Sequence, residues 1–188
     1  MKAKSIKGKS PEEIKSVLTE CMADGFKPTL AIVFISIKQD RKAICNILNS
    51  QGIDVFGATS SGEFINGHES EGKIVMILLD INRNNYSILF EDIGERNLEN
   101  ATSHMVDDAF KKYEKPAFIL LTTLLTSDGK LLDGEGMVKY IENLAGPDIS
   151  MFGGMAGDDL SFSGTWVFTH DKSTDYGMAA LVLNEEKI

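Results

Sequence analysis

The sequence predicts a mixed α/β fold in which helices cover mixed parallel and antiparallel sheets. Helix-like and strand-like patterns alternate along the 188 residues, and the order helix, strand, helix, strand, glycine turn and paired strands occurs twice. We therefore expect one internally duplicated domain over residues 1–188, with similar halves at about 1–94 and 95–188 related by a pseudo-twofold axis. The alternative is an α/β chain without duplication, because the segments that match between the halves are short.

Caps, apolar spacing and glycine stops define the elements of the first half. Ser10, Pro11 and Glu13 form the start signal of a helix that ends near Gly25. The apolar run 30–36 predicts a strand that is covered on both faces. The other predicted elements are a helix at 39–51, a buried strand at 53–56, a glycine turn at 57–63, strands at 73–80 and 86–91, and a hairpin connection at 82–85.

The second half repeats this order of elements. Apolar residues at helical spacing over 98–113 predict a long amphipathic helix. A buried strand at 117–123, a helix at 133–145, a strand and glycine turn at 149–159, and strands near 165–169 and 178–183 follow. The segment Ile149-Ser150-Met151-Phe152-Gly153 corresponds to Ile53-Asp54-Val55-Phe56-Gly57, and this match carries the duplication hypothesis.

Composition limits the class of function. The 28 acidic residues exceed the 19 basic ones and give a net charge of -9, which repels nucleic acid and anionic membranes. The N-terminal residues contain no apolar run long enough for a signal peptide or a membrane span. Cys21 and Cys45 fall beside apolar residues in predicted helices, and buried thiols are typical of a reducing compartment. We expect a cytoplasmic protein that binds neither nucleic acid nor membrane.

The two glycine turns carry the candidate ligand-binding residues. Each turn follows a buried strand, and ligands of α/β proteins collect beyond the carboxyl ends of strands. Hydroxyls and carboxylates there suit a small polar or cationic ligand, such as an amino acid. The alternative is that the glycines only permit positive φ angles and the acids only cap backbone. The candidate residues are Gly57, Thr59, Ser60, Ser61, Gly62 and Glu63 in the first turn, and Gly153, Gly154, Gly157, Asp158 and Asp159 in the second.

Enzymatic interpretations of the first turn meet specific objections. Gly57 and Gly62 have the spacing of a phosphate-binding loop, but Glu63 stands where that loop needs a lysine. Ser60 loosely fits the nucleophile elbow of a hydrolase, yet the elbow must open into a helix and no helical pattern follows. We therefore expect no catalytic residues, and we do not expect an enzyme.

The two turns resemble the signatures of the N-terminal FIST domain. Residues 57–63 are similar to the family pattern Gly-Cys/Ala-Thr/Ser-x-x-Gly-Glu, and residues 153–158 to the pattern Gly-Gly-x-Ala-Gly-Asp. A strand like 165–168 and a closing apolar strand like 178–183 follow in the same order as in the family. The resemblance spans residues from about 30 to 183 and covers nearly the whole chain.

The resemblance implies a sensory domain of a signal-transduction protein that binds small ligands such as amino acids, and the acids of the turns favour an amino-acid-like or cationic one. FIST proteins usually continue into a C-terminal FIST domain, so that domain or a signalling protein is an expected partner. The main alternative is a non-catalytic protein-interaction scaffold, which needs only the fold. A haem-binding gas sensor and a hydrolase are less favoured functions than the ligand sensor and the scaffold. Haem needs an axial ligand, and nothing around His68, His104 or His170 singles one out, so we expect no metal and no cofactor.

Overall fold

The computed structural model describes residues 1–126, 128–161 and 163–188 and confirms the mixed α/β class. The helices are α1 (Pro11–Met22), α2 (Arg41–Ser50), α3 (Leu98–Lys112) and α4 (Gly134–Ala145). The strands are β1 (Lys2–Gly8), β2 (Leu30–Ser36), β3 (Asp54–Ser60), β4 (Glu63–Ile65), β5 (His68–Ser70), β6 (Ile74–Asp80), β7 (Tyr86–Asp92), β8 (Pro116–Thr122), β9 (Met151–Met155), β10 (Val167–Thr169), β11 (Ser173–Thr174) and β12 (Gly177–Asn184).

These elements form four layers in the order helix, sheet, sheet, helix. One sheet has the strand order β1-β6-β2-β3-β10-β11, the other has the order β7-β12-β8-β9, and β4 pairs separately with β5. Helices α1 and α2 share a core with the six-stranded sheet, and α3 and α4 share one with the four-stranded sheet. The two sheets face each other across a third core, which includes Phe56 and Leu181.

Strand β2 shows why a continuous apolar run was needed. Val33 and Ile35 pack into the core below the helices, whereas Leu30 packs into the core between the sheets. Both faces of the strand are therefore covered, as the sequence predicted. Strands joined through a helix also run parallel as predicted: β3 pairs parallel to β2, and β9 pairs parallel to β8.

The start signal of α1 is confirmed in detail. Ser10 caps the helix by accepting a hydrogen bond from the Glu13 amide at 3.3 Å. The Glu13 carboxylate reaches back and accepts from the Lys9 amide at 2.8 Å. These two contacts satisfy amides that have no partner within the helix. Ile14 and Leu18 are thereby directed into the core, where both are buried.

The same topology occurs twice. The order β1-β6-β2-β3 and the order β7-β12-β8-β9 correspond position by position. The pairing directions also correspond, because in each set the first two neighbouring pairs are antiparallel and the third is parallel. The corresponding sets begin at β1 and β7, so β7 lies with the strands of the second set, before the expected boundary near residue 94. Duplication itself stays a prediction.

The predicted hairpin connection at 82–85 is wrong. The connection contains a short 3-10 turn, Arg83–Asn85, capped by the Asn82 side chain. It carries the chain from β6 in one sheet to β7 in the other. Ile81 and Tyr86, on either side of the turn, are both buried in the core between the sheets. Burial of these two side chains favours the crossing over a local hairpin.

Strand β1 was not predicted from the sequence. It is an edge strand that pairs antiparallel with β6, and of its side chains Ile6 joins the core. A single buried apolar residue among lysines gives little periodic signal.

Within the described ranges, no helix is long and apolar enough to cross a membrane.

Candidate functional site

The two glycine turns lie in direct contact. The Ser61 hydroxyl oxygen accepts hydrogen bonds from the amides of Asp158 at 3.0 Å and Asp159 at 2.9 Å. The Gly157 amide donates to the Thr59 carbonyl at 2.9 Å. A Cβ atom on Gly157 would lie 2.5 Å from the Ser61 hydroxyl oxygen, so this contact requires glycine. The structure thus brings residues that are about a hundred positions apart to one place.

The first turn is shorter than the sequence predicted. Gly57, Thr59 and Ser60 belong to strand β3, where all three pair with β2, and Gly57 also pairs with β10 on the other side. A Cβ atom on Gly57 would lie 2.5 Å from the ring of Phe168, so Gly57 makes room for a core side chain. Gly62 has a φ angle of +83°, a conformation that favours glycine, and it forms the actual turn.

Glu63 is a buried acid at the start of β4. Its side chain accepts hydrogen bonds from the Ser60 hydroxyl at 2.8 Å and from the Lys73 amide at 2.9 Å. Burial raises the pKa of the Glu63 carboxyl above its ordinary value of 4.5, and the two hydrogen bonds oppose that rise. Glu63 is therefore held in place and has a destabilised charged form.

The second turn also begins inside a strand. Gly153 and Gly154 belong to β9, and the structure gives them different roles. A Cβ atom on Gly153 would lie 2.0 Å from the Leu120 carbonyl oxygen, whereas one on Gly154 would meet no heavy atom within 4 Å. Packing against β8 explains Gly153. Within the described residues, packing gives no reason for glycine at position 154.

The acids of the second turn are paired inside the protein. Asp158 is 6% exposed and accepts hydrogen bonds from the amides of Ser163 and Gly164. Asp159 accepts from the Ser36 hydroxyl and lies 3.5 Å from the Lys38 ammonium. These contacts fix the loop that follows β9. Asp158 thus caps backbone, as in the alternative interpretation, whereas Asp159 contacts two side chains.

The Thr59 side chain also binds backbone, because its hydroxyl oxygen accepts a hydrogen bond from the Trp166 amide at 2.9 Å.

A cavity of about 510 Å³ lies beside the first turn. Ser60, Gly62 and Glu63 contribute to its lining, while the residues of the second turn are not among its described lining. Its other walls come from β2, β6 and the β4–β5 hairpin, and its apolar lining includes Phe34, Phe64, Ile65, Val75 and Ile77. Phe64 is 77% exposed. The arrangement offers an apolar surface next to a hydroxyl and a buried carboxyl.

These apolar residues were not candidates from the sequence. Val75 and Ile77 alternate along β6, and this spacing places both on the face of the sheet opposite α1 and α2. The pair Phe64-Ile65 within an otherwise polar stretch was the available local signal. Which face of β6 stays uncovered depends on where the second sheet ends, and the local sequence does not encode that.

A second cavity of about 510 Å³ lies between α2 and the β10–β11 hairpin. Arg41, His170 and Lys172 line it together with Cys45. The Arg41 guanidinium lies 4.5 Å from the centre of the Trp166 ring, a cation–π contact that orients the side chain. None of these residues was a candidate from the sequence.

The three histidines are exposed and lie on separate elements: His68 on β5, His104 on α3, and His170 after β10. Among the described residues, no group of three His, Cys, Asp or Glu side chains is placed to hold a metal ion. The expectations about catalysis, metals and cofactors stay predictions.

Comparison with known families agrees with the two motifs. The model of the FIST N domain matches residues 29–188, which includes both glycine turns and every element from β2 to β12. The chain matches none of the curated proteins with which it was compared. Because the match covers most of the chain, this protein belongs to the FIST N domain family, a family of sensory domains in signal transduction.

Proposed function

We propose that this domain senses a small amphipathic molecule, amino-acid-like or cationic, that binds in the cavity beside the first glycine turn. We further propose that it acts in the cytoplasm without catalysis and passes the signal to a FIST C-terminal domain or another signalling protein. The observation that carries the proposal is the lining of the cavity. Ser60 and Glu63 stand at its polar side, and Phe34, Phe64 and Ile77 form apolar wall. Apolar walls with a few placed polar groups are typical of small-molecule sites.

The charge of the ligand follows from Glu63. An ammonium group near this carboxyl would favour its charged form and offset the cost of burial. An anionic ligand would meet the same carboxyl in a chain of net charge -9, which disfavours nucleotides. Asp158 and Asp159 do not contact the ligand in this proposal. They hold the second turn against Ser61 and so fix the position of the first.

The apolar part of the ligand would contact Phe64. The Phe64 side chain is 77% exposed. A ligand that covers it removes apolar surface from water, which favours binding. Phe64 sits on the short β4–β5 hairpin, whose strands have three residues each. Closure of this hairpin over the ligand would give the domain a conformational response.

A calorimetric and thermal-shift screen of amino acids, amines and nucleotides tests the proposal. A ligand present at 100 times its dissociation constant should stabilise the fold by about 2.7 kcal/mol. Phe64→Ala and Glu63→Gln should each weaken binding of the same compound. Phe110→Ala, which truncates an exposed aromatic residue on α3, is the matched control and should leave binding unchanged. A response to nucleotides alone, or one that ignores both cavity variants, would overturn the proposal.

An interaction scaffold is the second candidate function. It is favoured by strand β9, which is exposed along most of its length.

A further inference from the structure

Strand β9 ends the four-stranded sheet and leaves one side of the sheet open. Its single neighbour is β8, and among the described residues no strand pairs with its other side. Hydrogen bonds from the Phe118 amide to the Ser150 carbonyl and from the Ala156 amide to the Thr122 carbonyl show which residues face β8. Alternate residues face the opposite side. Met151, Gly153 and Met155 therefore direct their backbone groups outward.

The corresponding strand in the first half is covered. Strand β3 occupies the position in its sheet that β9 occupies in the other, and β10 pairs antiparallel with its outer side. The matching phenylalanines differ in exposure, because Phe56 is fully buried in the core between the sheets whereas Phe152 is 65% exposed. The structure thus shows what covers this position when it is filled: an antiparallel strand.

Charge and length distinguish β9 from the other edges of the two large sheets. Edge strand β1 carries Lys2, Lys4 and Lys7, and edge strand β7 ends in Glu91 and Asp92. The fourth edge, β11, has two residues. Charged side chains and short length protect edges from pairing with other chains. The sequence of β9, Met-Phe-Gly-Gly-Met, has five residues and no charge.

The sequence of β9 is complementary to itself. In an antiparallel pair centred on Gly153, Met151 of one copy would lie opposite Met155 of the other, and Phe152 opposite Gly154. The outward-facing groups of Met151, Gly153 and Met155 would then form the hydrogen-bonded pairs. The Phe152 ring would cover Gly154, where a Cβ atom would meet no heavy atom within 4 Å. An aromatic ring already lies over a glycine across strands in this fold, since Phe168 pairs with Gly57.

Apolar surface is concentrated in the same part of the chain. Of the exposed large hydrophobic residues described, Leu131, Val138, Leu144, Phe152, Met155 and Leu160 lie between positions 131 and 160. Met155 reaches the start of α4, because its sulfur would lie 3.6 Å from a Cβ atom on Gly134. A stable interface buries roughly 1,200–2,000 Å², so surface outside the strand, such as the start of α4, must contribute as well.

We propose that β9 pairs antiparallel with β9 of a second copy of this chain about a twofold axis, which joins the two four-stranded sheets into one. The interface is isologous, and the self-complementary register provides the symmetry that such an interface requires. It is independent of the ligand cavity, which lies on the other sheet.

Analytical ultracentrifugation of the full chain tests this interface. The wild-type chain should be dimeric at micromolar concentration. Phe152→Glu and Gly154→Lys should each raise the dissociation constant of the dimer about tenfold or more, since each removes two aromatic–glycine pairs. Both positions are exposed, and circular dichroism checks that the variants fold. Phe110→Glu, which places the same charge on exposed α3, is the matched control and should dimerise like the wild type.

A mixture of the two variants tests the register. In the mixed dimer, Glu at position 152 lies opposite Lys at 154, and the other pair remains Phe152 with Gly154, so mixing should restore dimers.

Added salt should strengthen association of the wild-type chain, because two chains of net charge -9 repel each other at low salt. A monomeric wild type, a dimer that survives both substitutions, failure of the mixture to pair, or a dimer weakened by salt would overturn the proposal.

Discussion

Ser61 and Asp159 join the two glycine turns: the Ser61 hydroxyl oxygen accepts a hydrogen bond from the Asp159 amide at 2.9 Å. The Asp159 carboxylate in turn accepts from the Ser36 hydroxyl at the end of β2. Three loop segments at the ends of strands are thereby linked through two side chains. Since Asp159 has a φ angle of 54°, a conformation that most residues avoid, these contacts also hold a backbone that would otherwise be unfavourable.

Substitution of Ser61 should destabilise this link. Ser61→Ala removes the acceptor of two amides, and we expect a loss of about 1–2 kcal/mol in the free energy of unfolding. Urea denaturation measures the loss. Ser16→Ala, at an exposed position of α1, is the control and should change stability by less than about 0.5 kcal/mol. Equal effects at the two positions would show that the Ser61 contacts contribute nothing.

The two matching phenylalanines should respond differently to truncation. Phe56 is fully buried between the sheets, so Phe56→Ala should cost about 3–5 kcal/mol through lost burial and the cavity left behind. Phe152 is 65% exposed, so in the monomer Phe152→Ala should cost less than about 1 kcal/mol. Denaturant unfolding at low protein concentration compares them. A large loss for Phe152→Ala in a monomer would show a packing role that its exposure does not indicate.

Local chemistry made most of the fold predictable. The cap at Ser10, the apolar run of β2 and the parallel pairs β2–β3 and β8–β9 all depend on neighbours in the sequence or on short crossovers. What failed depends on distant residues. Gly57 looked like a turn residue, but it lies within β3, and its missing side chain leaves space for Phe168, more than a hundred positions later.

The candidate site was only partly predictable, because some of its contacts also depend on distant residues. The two turns do meet, and the pairing of Ser61 with Asp158 and Asp159 shows how. The sequence did not reveal that Asp158 and Asp159 are paired internally, or that the cavity wall is apolar. Both outcomes depend on which groups face each other after the sheets pack.

The two thiols should differ in reactivity. Burial raises the pKa of the Cys45 thiol to about 11, so at pH 8 only about one molecule in a thousand carries the reactive thiolate. Cys21 is half-buried, and burial raises its pKa as well. Alkylation followed by peptide mapping should label Cys21 before Cys45, and unfolding in urea should abolish the difference. Faster labelling of Cys45 in the folded protein would contradict its burial.

Glu63 should make stability depend on pH. Its folded-state pKa lies above the ordinary value of 4.5 because burial disfavours the charge. Between those two values the folded chain binds more protons than the unfolded chain, so stability falls as pH rises. The contribution is fully present below pH 4.5 and is lost as pH rises through the raised pKa.

Glu63→Gln keeps groups that can bond to Ser60 and to the Lys73 amide but carries no charge to bury. The melting temperature of this variant, relative to the wild type, should therefore increase as pH rises from about 4 to 7. Ser60→Ala removes a donor that lowers the pKa of Glu63. The Ser60→Ala variant should therefore lose stability at a higher pH than the wild type does. If the wild type instead gains stability over Glu63→Gln with rising pH, the Ser60 and Lys73 contacts outweigh burial, and the pKa of Glu63 lies below its ordinary value rather than above it.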